Sequence, residues 1–264
     1  MGSCGRTPRA FWWQLLVALL AVLAGWFVSS PALATGVQVA PISFDFEVQD
    51  QAKALWLTNT GPQAVNVQIR IFEWSQVDGD DQLTPTGELV PSSAILRLAP
   101  GERQLVRLMR LKRDVPAREL SYRVMVDELP STTRRGQGLR FLVRYSIPVF
   151  VLPPGATPRF KSGGPPPLTD PASFSARVIE RDGKNWLVVT NNGRQRLRLS
   201  RLALVDARGT RRPLVDGLVG YVLAGQQRQW QIPVTIGALR EGTLKAKLND
   251  DPDEQSLSLD HASQ

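Results

Sequence analysis

From Val65 to Ile71 the chain alternates, with Val65, Val67, Ile69 and Ile71 separated by Asn66, Gln68 and Arg70. A period of two turns one side of an extended segment to a core and the other to water, which predicts a half-buried strand. Leu55-Trp56-Leu57 before Asn59-Thr60-Gly61, and Val106-Arg107-Leu108 after Ala99-Pro100-Gly101, read the same way, as do Tyr122, Val124 and Val126. The longest run is Leu139 to Leu152. There Leu139, Phe141, Val143, Tyr145, Ile147, Val149 and Val151 share one parity, and Arg140, Arg144 and Ser146 lie on the other. Turn-forming residues recur at short intervals and no segment sustains a helical period, so the pattern predicts an all-β fold of sandwich type.

One stretch interrupts the pattern. Pro153–Pro171 carries seven prolines and three glycines and cannot be a central strand. Strands are expected again at Phe174–Arg181, Trp186–Thr190, Leu197–Val205, Gln229–Val234 and Thr243–Leu248. The expected organisation is therefore a sandwich at 35–153, a Pro/Gly-rich linker at 154–171, a second sandwich at 172–250 and a polar tail at 251–264. A faint repeat relates the halves. Lys53–Gly61 resembles Asn185–Gly193, and Leu98–Gln104 is echoed by Leu223–Gln229 in the same order. Two related domains explain that order better than the turns any sandwich needs.

The N-terminus reads as an export signal. Arg6 and Arg9 precede an apolar run from Ala10 to Val28 broken only by Gln14, and Ala32-Leu33-Ala34 matches the small-x-small cleavage pattern. The expectation is a signal peptide at 1–34 cut after Ala34, with no stable membrane insertion afterwards; an uncleaved anchor is the competing reading. Cleavage removes Cys4, the only cysteine among the 264 residues, and lowers the formal net charge from +8 to +6. A secreted chain without cysteine must hold together by packing.

Candidate chemistry is sparse. A lone histidine, His261 near the C-terminus, argues against zinc sites and His-based triads, and no titratable constellation suggests an enzyme or a cofactor. Asp78-Gly79-Asp80-Asp81 lacks the distal Glu of a calcium loop and reads as a solvated hairpin tip. Gly163-Gly164 lacks the Lys-Ser/Thr of a phosphate loop. Residues 194–212 hold seven arginines but no aromatic stacking platform, so a solvated strand face is expected and nucleic acid is not. The run at 139–152 admits two readings: a central core strand, or a sheet edge offered to another chain.

Several motifs together resemble a known family. Asn59-Thr-Gly61, Gln68-Ile-Arg-Ile-Phe-Glu-Trp74, Pro91-Ser-Ser-Ala94 and Leu98-Ala-Pro-Gly-Glu102 are joined by Ser121-Tyr-Arg-Val-Met-Val-Asp-Glu-Leu-Pro130 and Arg144-Tyr-Ser-Ile-Pro-Val-Phe150. They resemble the periplasmic pilus-assembly chaperones of the chaperone–usher pathway, nearest the archaic branch that serves spore-coat-U-type pilins. In the second half the resemblance is diffuse, resting on Thr190-Asn-Asn-Gly193 and Gly220-Tyr-Val-Leu223.

The resemblance implies two immunoglobulin-like sandwiches set in an L, a periplasmic location, pilin subunits and an outer-membrane usher as partners, and a free form able to self-associate. It implies that Leu139, Phe141 and Val143 fill a pilin's empty groove by strand addition. The stretch containing Arg134 and Arg135 would be a mobile loop, and Val37, Val39, Ile42 and Phe44 the opposite wall. In the better-known branch two basic residues hold the pilin's C-terminal carboxylate, but Ser43 and Pro148 stand at those positions here. Charge-assisted donors are still required. The expectation is Arg123 as the anchor with Arg144 beside it, ordinary surface charge being the competing reading. The alternative function is a secreted Ig-like structural or adhesive protein.

Overall fold

The computed structural model describes residues 36–130, 142–158 and 168–259; the expected signal at 1–34 with Cys4, and Arg134, Arg135, Leu139, Phe141 and His261, lie outside them. Four sheets make two sandwiches. In the first, β1 (Val37–Ala40), β3 (Ala52–Asn59), β8 (Arg103–Arg110) and β6 (Leu89–Pro91) pair in that order. Facing them, β2 (Phe44–Phe46), β10 (Arg144–Val151), β9 (Leu120–Leu129), β4 (Val65–Val77) and β5 (Asp80–Pro85) form a second sheet, and β7 (Ile95–Leu98) also pairs with β4. Leu55, Leu57, Val106 and Leu108 of one sheet pack on Val67, Ile69, Val124, Val126, Ile147 and Val149 of the other. These are the residues of the predicted inward parity, each large side chain contributing about 1.5–3 kcal/mol by burial.

The second sandwich pairs β11 (Phe174–Arg181), β12 (Lys184–Asn191) and β16 (Gln227–Ile232) in one sheet. The other runs β14 (Arg211–Pro213), β13 (Leu197–Asp206), β17 (Gly242–Leu248), β18 (Glu254–Ser256), with β15 (Leu218–Val222) also on β13. A short α-helix, Ile236–Glu241, is capped by Thr235, whose hydroxyl accepts from the Ala238 amide. Asp78-Gly79 and Asp182-Gly183 close two hairpins with φ positive at both residues, the condition a tight two-residue turn imposes.

The faint repeat has a physical basis. Asn59 donates through Nδ2 to the Gln63 and Leu98 carbonyls at 2.6 and 3.1 Å, and its Oδ1 accepts from the Gly61 amide. Asn191 does the same to Gln195 and Val222 at 2.8 and 2.9 Å, with Gly193 as the amide. Each asparagine replaces backbone bonds where a strand turns out of its sheet.

Two expectations are corrected here. The region after 250 is not simply a polar tail: Glu254–Ser256 adds a strand to β17 and Leu257 is buried in the second core. Asp251 is buried because the Thr169 amide and Gln255 Nε2 bond to it. Nor is the arginine stretch solvated throughout: Arg194, Arg201, Arg208, Arg211 and Arg212 are exposed, but Arg196 is not. Arg196 is 2% exposed, its guanidinium held by Glu119 at 2.7 Å and Asp45 at 2.8 Å, with its Cζ 3.7 Å from the Phe150 ring centroid. Arg194 bonds the Ala117 carbonyl, and Arg198 pairs with Asp250. A cation is tolerated in this interior because its donors are matched.

Arg196 belongs to the second sandwich and both carboxylates to the first, so this triad joins the two. Burial pushes the Glu119 carboxyl up, and the Arg196 charge opposes that. Around it, Trp74, Phe150 and Leu223 are buried together with Tyr221 packed against them. Gln76 bonds the Tyr221 carbonyl at 2.8 Å and the Leu223 amide at 2.9 Å. Replacing Arg196 by Ala would strand two buried carboxylates; the expected loss is about 3–5 kcal/mol in urea unfolding at neutral pH, with a smaller loss when Asp45→Asn and Glu119→Gln are added.

Candidate functional site

Strand β10 lies between an ordinary interior partner and an incomplete one. On one side β9 pairs with it along its whole length, Arg144 to Val151. On the other, β2 runs parallel and covers only Val149–Val151. The Pro148 carbonyl points to that second side, where it accepts from the Ser43 hydroxyl at 3.5 Å. Alternation then turns the backbone groups of Ser146 and Arg144 the same way, and no strand pairs with them among the described residues. Proline fits at 148 because its missing N–H falls on this edge.

The first sheet presents a second edge close by, since β1 pairs only with β3. Tyr145 Oη donates to the Val37 carbonyl at 2.6 Å and ties the two edges together. Val37 and Phe44 are core residues and Val39 packs on that core, so they do not form an outward wall; Ile42, 75% exposed, is the apolar side chain left outside. Val143, just before β10, is half-buried and its carbonyl accepts from the Glu128 amide at 3.1 Å. Leu139 and Phe141, the other expected groove-filling residues, lie outside the described residues.

Register sets the outer face of the same sheet into rows. Gln68, Asp127 and Arg144 form one; Arg70, Met125 and Ser146 the next; Phe72, Arg123 and Pro148 the third. Arg123 therefore sits beside the Ser43–Pro148 pair, one strand over from the place where the resemblance puts a basic residue. Its guanidinium carbon is 3.7 Å from the centroid of the Trp74 ring. Burial lowers its affinity for a proton, Asp81 and Tyr221 opposing that. Among the described residues no hydrogen bond or ion pair reaches its donors, which leaves a half-buried cation with Asp81 acting on it only at a distance.

Arg144 is placed differently. It is four residues along β10 from Pro148, about 13 Å at strand spacing, so it stands two rows away from Arg123 on the same outer face. Its charge is engaged by Asp127, which also accepts from Arg70 at 2.8 Å. Burial pushes the Asp127 carboxyl up, but hydrogen bonds from Arg70 and Arg144 outweigh it and hold the group below the ordinary Asp range.

Trp74 went unrecognised as part of the site, although the pattern carried a signal. Val67, Ile69 and Ile71 face inward, so Phe72 and Trp74 fall on the parity that should be polar. Phe150 breaks parity in β10 in the same way. Large apolar residues on a polar parity mark where a second layer covers the sheet. The Asp78–Asp81 tip is the expected hairpin with exposed aspartates, but it also meets the second sandwich: Arg228 donates to the Gly79 carbonyl at 2.7 Å and pairs with Asp80 at 3.0 Å. A Cβ at Gly79 would meet Gln229 Cγ at 2.7 Å, so the close approach requires glycine as well as its φ of 83°.

Two immunoglobulin-like sandwiches joined by a buried ion triad, with an edge strand left half open, define a class before any comparison is made. Residues 36–157 match the family model described as "Pili and flagellar-assembly chaperone, PapD N-terminal domain". The uncharacterized fimbrial chaperone YcbF of Escherichia coli K12 is 25% identical over 146 residues, 54% of this chain; the match spans 61% of the relative's length. Among solved structures, the chaperone–tip adhesion subunit pre-assembly complex CsuC–CsuE, from archaic chaperone–usher Csu pili of Acinetobacter baumannii, superposes with TM-score 0.63. The match is 26% identical and covers 85% of this chain and 98% of that one. The Salmonella enterica SafA pilin–SafB chaperone complex gives TM-score 0.58 at 16% identity, over 85% and 96% of the two chains. The first sandwich thus matches the N-terminal domain of the pilus-assembly chaperones, and the chain as a whole is similar to a chaperone of the archaic chaperone–usher branch. No helix among the described residues is long and apolar enough to cross a membrane.

The Asp127 cluster has a pH signature. A carboxyl held low in the folded state contributes stability that is present above its unfolded value and lost as pH falls through the folded one. As pH falls below about 4, urea unfolding of Asp127→Asn should therefore show a shallower loss of stability than the parent protein, together with lower stability at neutral pH.

Proposed function

We propose that this protein is a periplasmic chaperone that binds pilin-type subunits by strand addition and delivers them to an outer-membrane usher. The observation that carries the reading is the half-open edge of β10 next to Arg123, which is half-buried on Trp74 and has no ion pair among the described residues. A subunit that lacks its last strand exposes backbone donors and acceptors along a groove, and an edge strand supplies their complement. Leu139, Phe141 and Val143 are the residues assigned to the groove, and Arg123 to the client's terminal carboxylate. Arg144 then has a structural role through Asp127.

Energetically the division is simple. Apolar side chains inserted at alternate positions supply most of the binding free energy, at about 1.5–3 kcal/mol each. The carboxylate anchor adds about 1.5–3 kcal/mol and sets the register. No nucleotide hydrolysis is needed, because exchange for a better-packing strand releases the free energy that drives assembly. The same reading assigns 1–34 to an export signal cut after Ala34, 35–153 and 172–250 to the two domains and 154–171 to the joint. A secreted adhesive sandwich would instead carry its own complementing strand.

Co-expression with a pilin lacking its own last strand tests the assignment. Arg123→Ala should abolish recovery of the chaperone–pilin complex from a periplasmic extract, and Phe141→Arg should do the same. Undiminished complex with Arg123→Ala would overturn the anchor.

A further inference from the structure

The anchor is not held by its own strand. Arg123 stands on β9, but its guanidinium lies on the indole of Trp74 from β4, so where the ring goes the cation goes. Three groups orient that ring. Its Nε1–H donates to Asp81 Oδ1 at 3.0 Å; Tyr221 meets it edge-on with centroids 5.7 Å apart; Phe150 is tilted against it at 6.1 Å. Only the first is a directional bond to the indole's polar edge.

Asp81 is in turn fixed from both sandwiches. The same Oδ1 accepts from Gln76 Nε2 at 3.0 Å, and Gln76 spans to Tyr221 and Leu223 of the second sandwich. Its Oδ2 lies 3.5 Å from Arg228 Nη2, and the neighbouring Gly79 carbonyl accepts from the Gln229 amide at 3.1 Å. The hairpin tip thus carries the second sandwich's position to the indole, and the indole carries it to Arg123.

We propose that Asp81 is the positioning residue for the Arg123 anchor, acting through the Trp74 indole N–H, so that the carboxylate site is assembled only when the two sandwiches are docked. This rests on the reading of Arg123 as the anchor. Its chemical requirement is an acceptor at the Asp81 position rather than a charge. Asparagine keeps an Oδ1 that can accept from Trp74, whereas alanine leaves the buried indole N–H without a partner.

The test uses the chain 35–264 and an acetylated, soluble peptide of alternating threonine and valine, prepared as the free acid and as the C-terminal amide. Nitrogen-15 spectra read the Arg123 Nε–H, which a ring current shifts upfield while the guanidinium stacks on the indole. The parent protein and Asp81→Asn should show that shift and bind the acid about tenfold more tightly than the amide. Asp81→Ala should lose both, and Trp74→Phe, which keeps a ring but no N–H, should lose the acid preference. An Asp81→Ala protein that retains the shift and the preference would overturn the proposal. A parent protein that binds acid and amide equally would overturn the anchor reading itself, whatever the variants do.

Discussion

A guanidinium buried between two sandwiches, with one carboxylate on each side of its fork, is the interaction on which the remaining geometry depends. Arg196 brings Glu119 and Asp45 together from separate strands and lies over Phe150. Such a triad adds little net stability over a well-packed apolar substitute, but it is unforgiving: each group is tolerable only while the others are present. It therefore selects one docking of the sandwiches among the many that an apolar contact alone would allow. Trp74, Tyr221 and Leu223 pack around that docking rather than define it.

Docking divides β10 into two functional parts. From Ile147 onward its residues are buried on both faces, since the first core takes Ile147, Val149 and Val151 and the second sandwich covers Phe150. Toward Arg144 the strand has β9 on one side and no partner on the other among the described residues. One end is anchored with full interior packing while the other keeps backbone groups open to pairing. A strand built this way presents an edge without losing its register, because a one-residue slip would expel the anchored half from the core. The same docking leaves Arg123 half-buried on an aromatic ring, without the ion pairs that Arg196 and Arg144 each have among the described residues.

Much of this was legible residue by residue. Alternation at Val65–Ile71 and Tyr122–Val126 placed those strands and their inward faces, because a period of two is set by local backbone geometry. The Asp78-Gly79 hairpin and the Asn59 and Asn191 turns were legible for the same reason. Arg123 was reachable from its parity and from the departure at Ser43 and Pro148. Arg196 was not: its spacing from Arg194 and Arg198 is that of a surface strand, and only partners 77 and 151 residues away bury it. The contact of the Asp78–Asp81 tip with the second sandwich and the strand at Glu254–Ser256 were not legible either, since polar composition reports what a segment could do in water and not what folds against it.

By itself the sequence determined the class of fold, the inward faces of β3, β4, β8, β9 and β10 in the first sandwich, and a residue inventory with one cysteine, Cys4. These follow from local rules: side-chain parity, turn conformations and residue inventory. Tertiary structure alone decided that β10 is core at one end and edge at the other, that Arg144 is engaged by Asp127, and that Arg123 is stacked on Trp74 without an ion partner. Each of those depends on electrostatics and burial between residues far apart in the chain. The cost of burying a charge is set by what surrounds it in space, and that is known only once the two sandwiches meet.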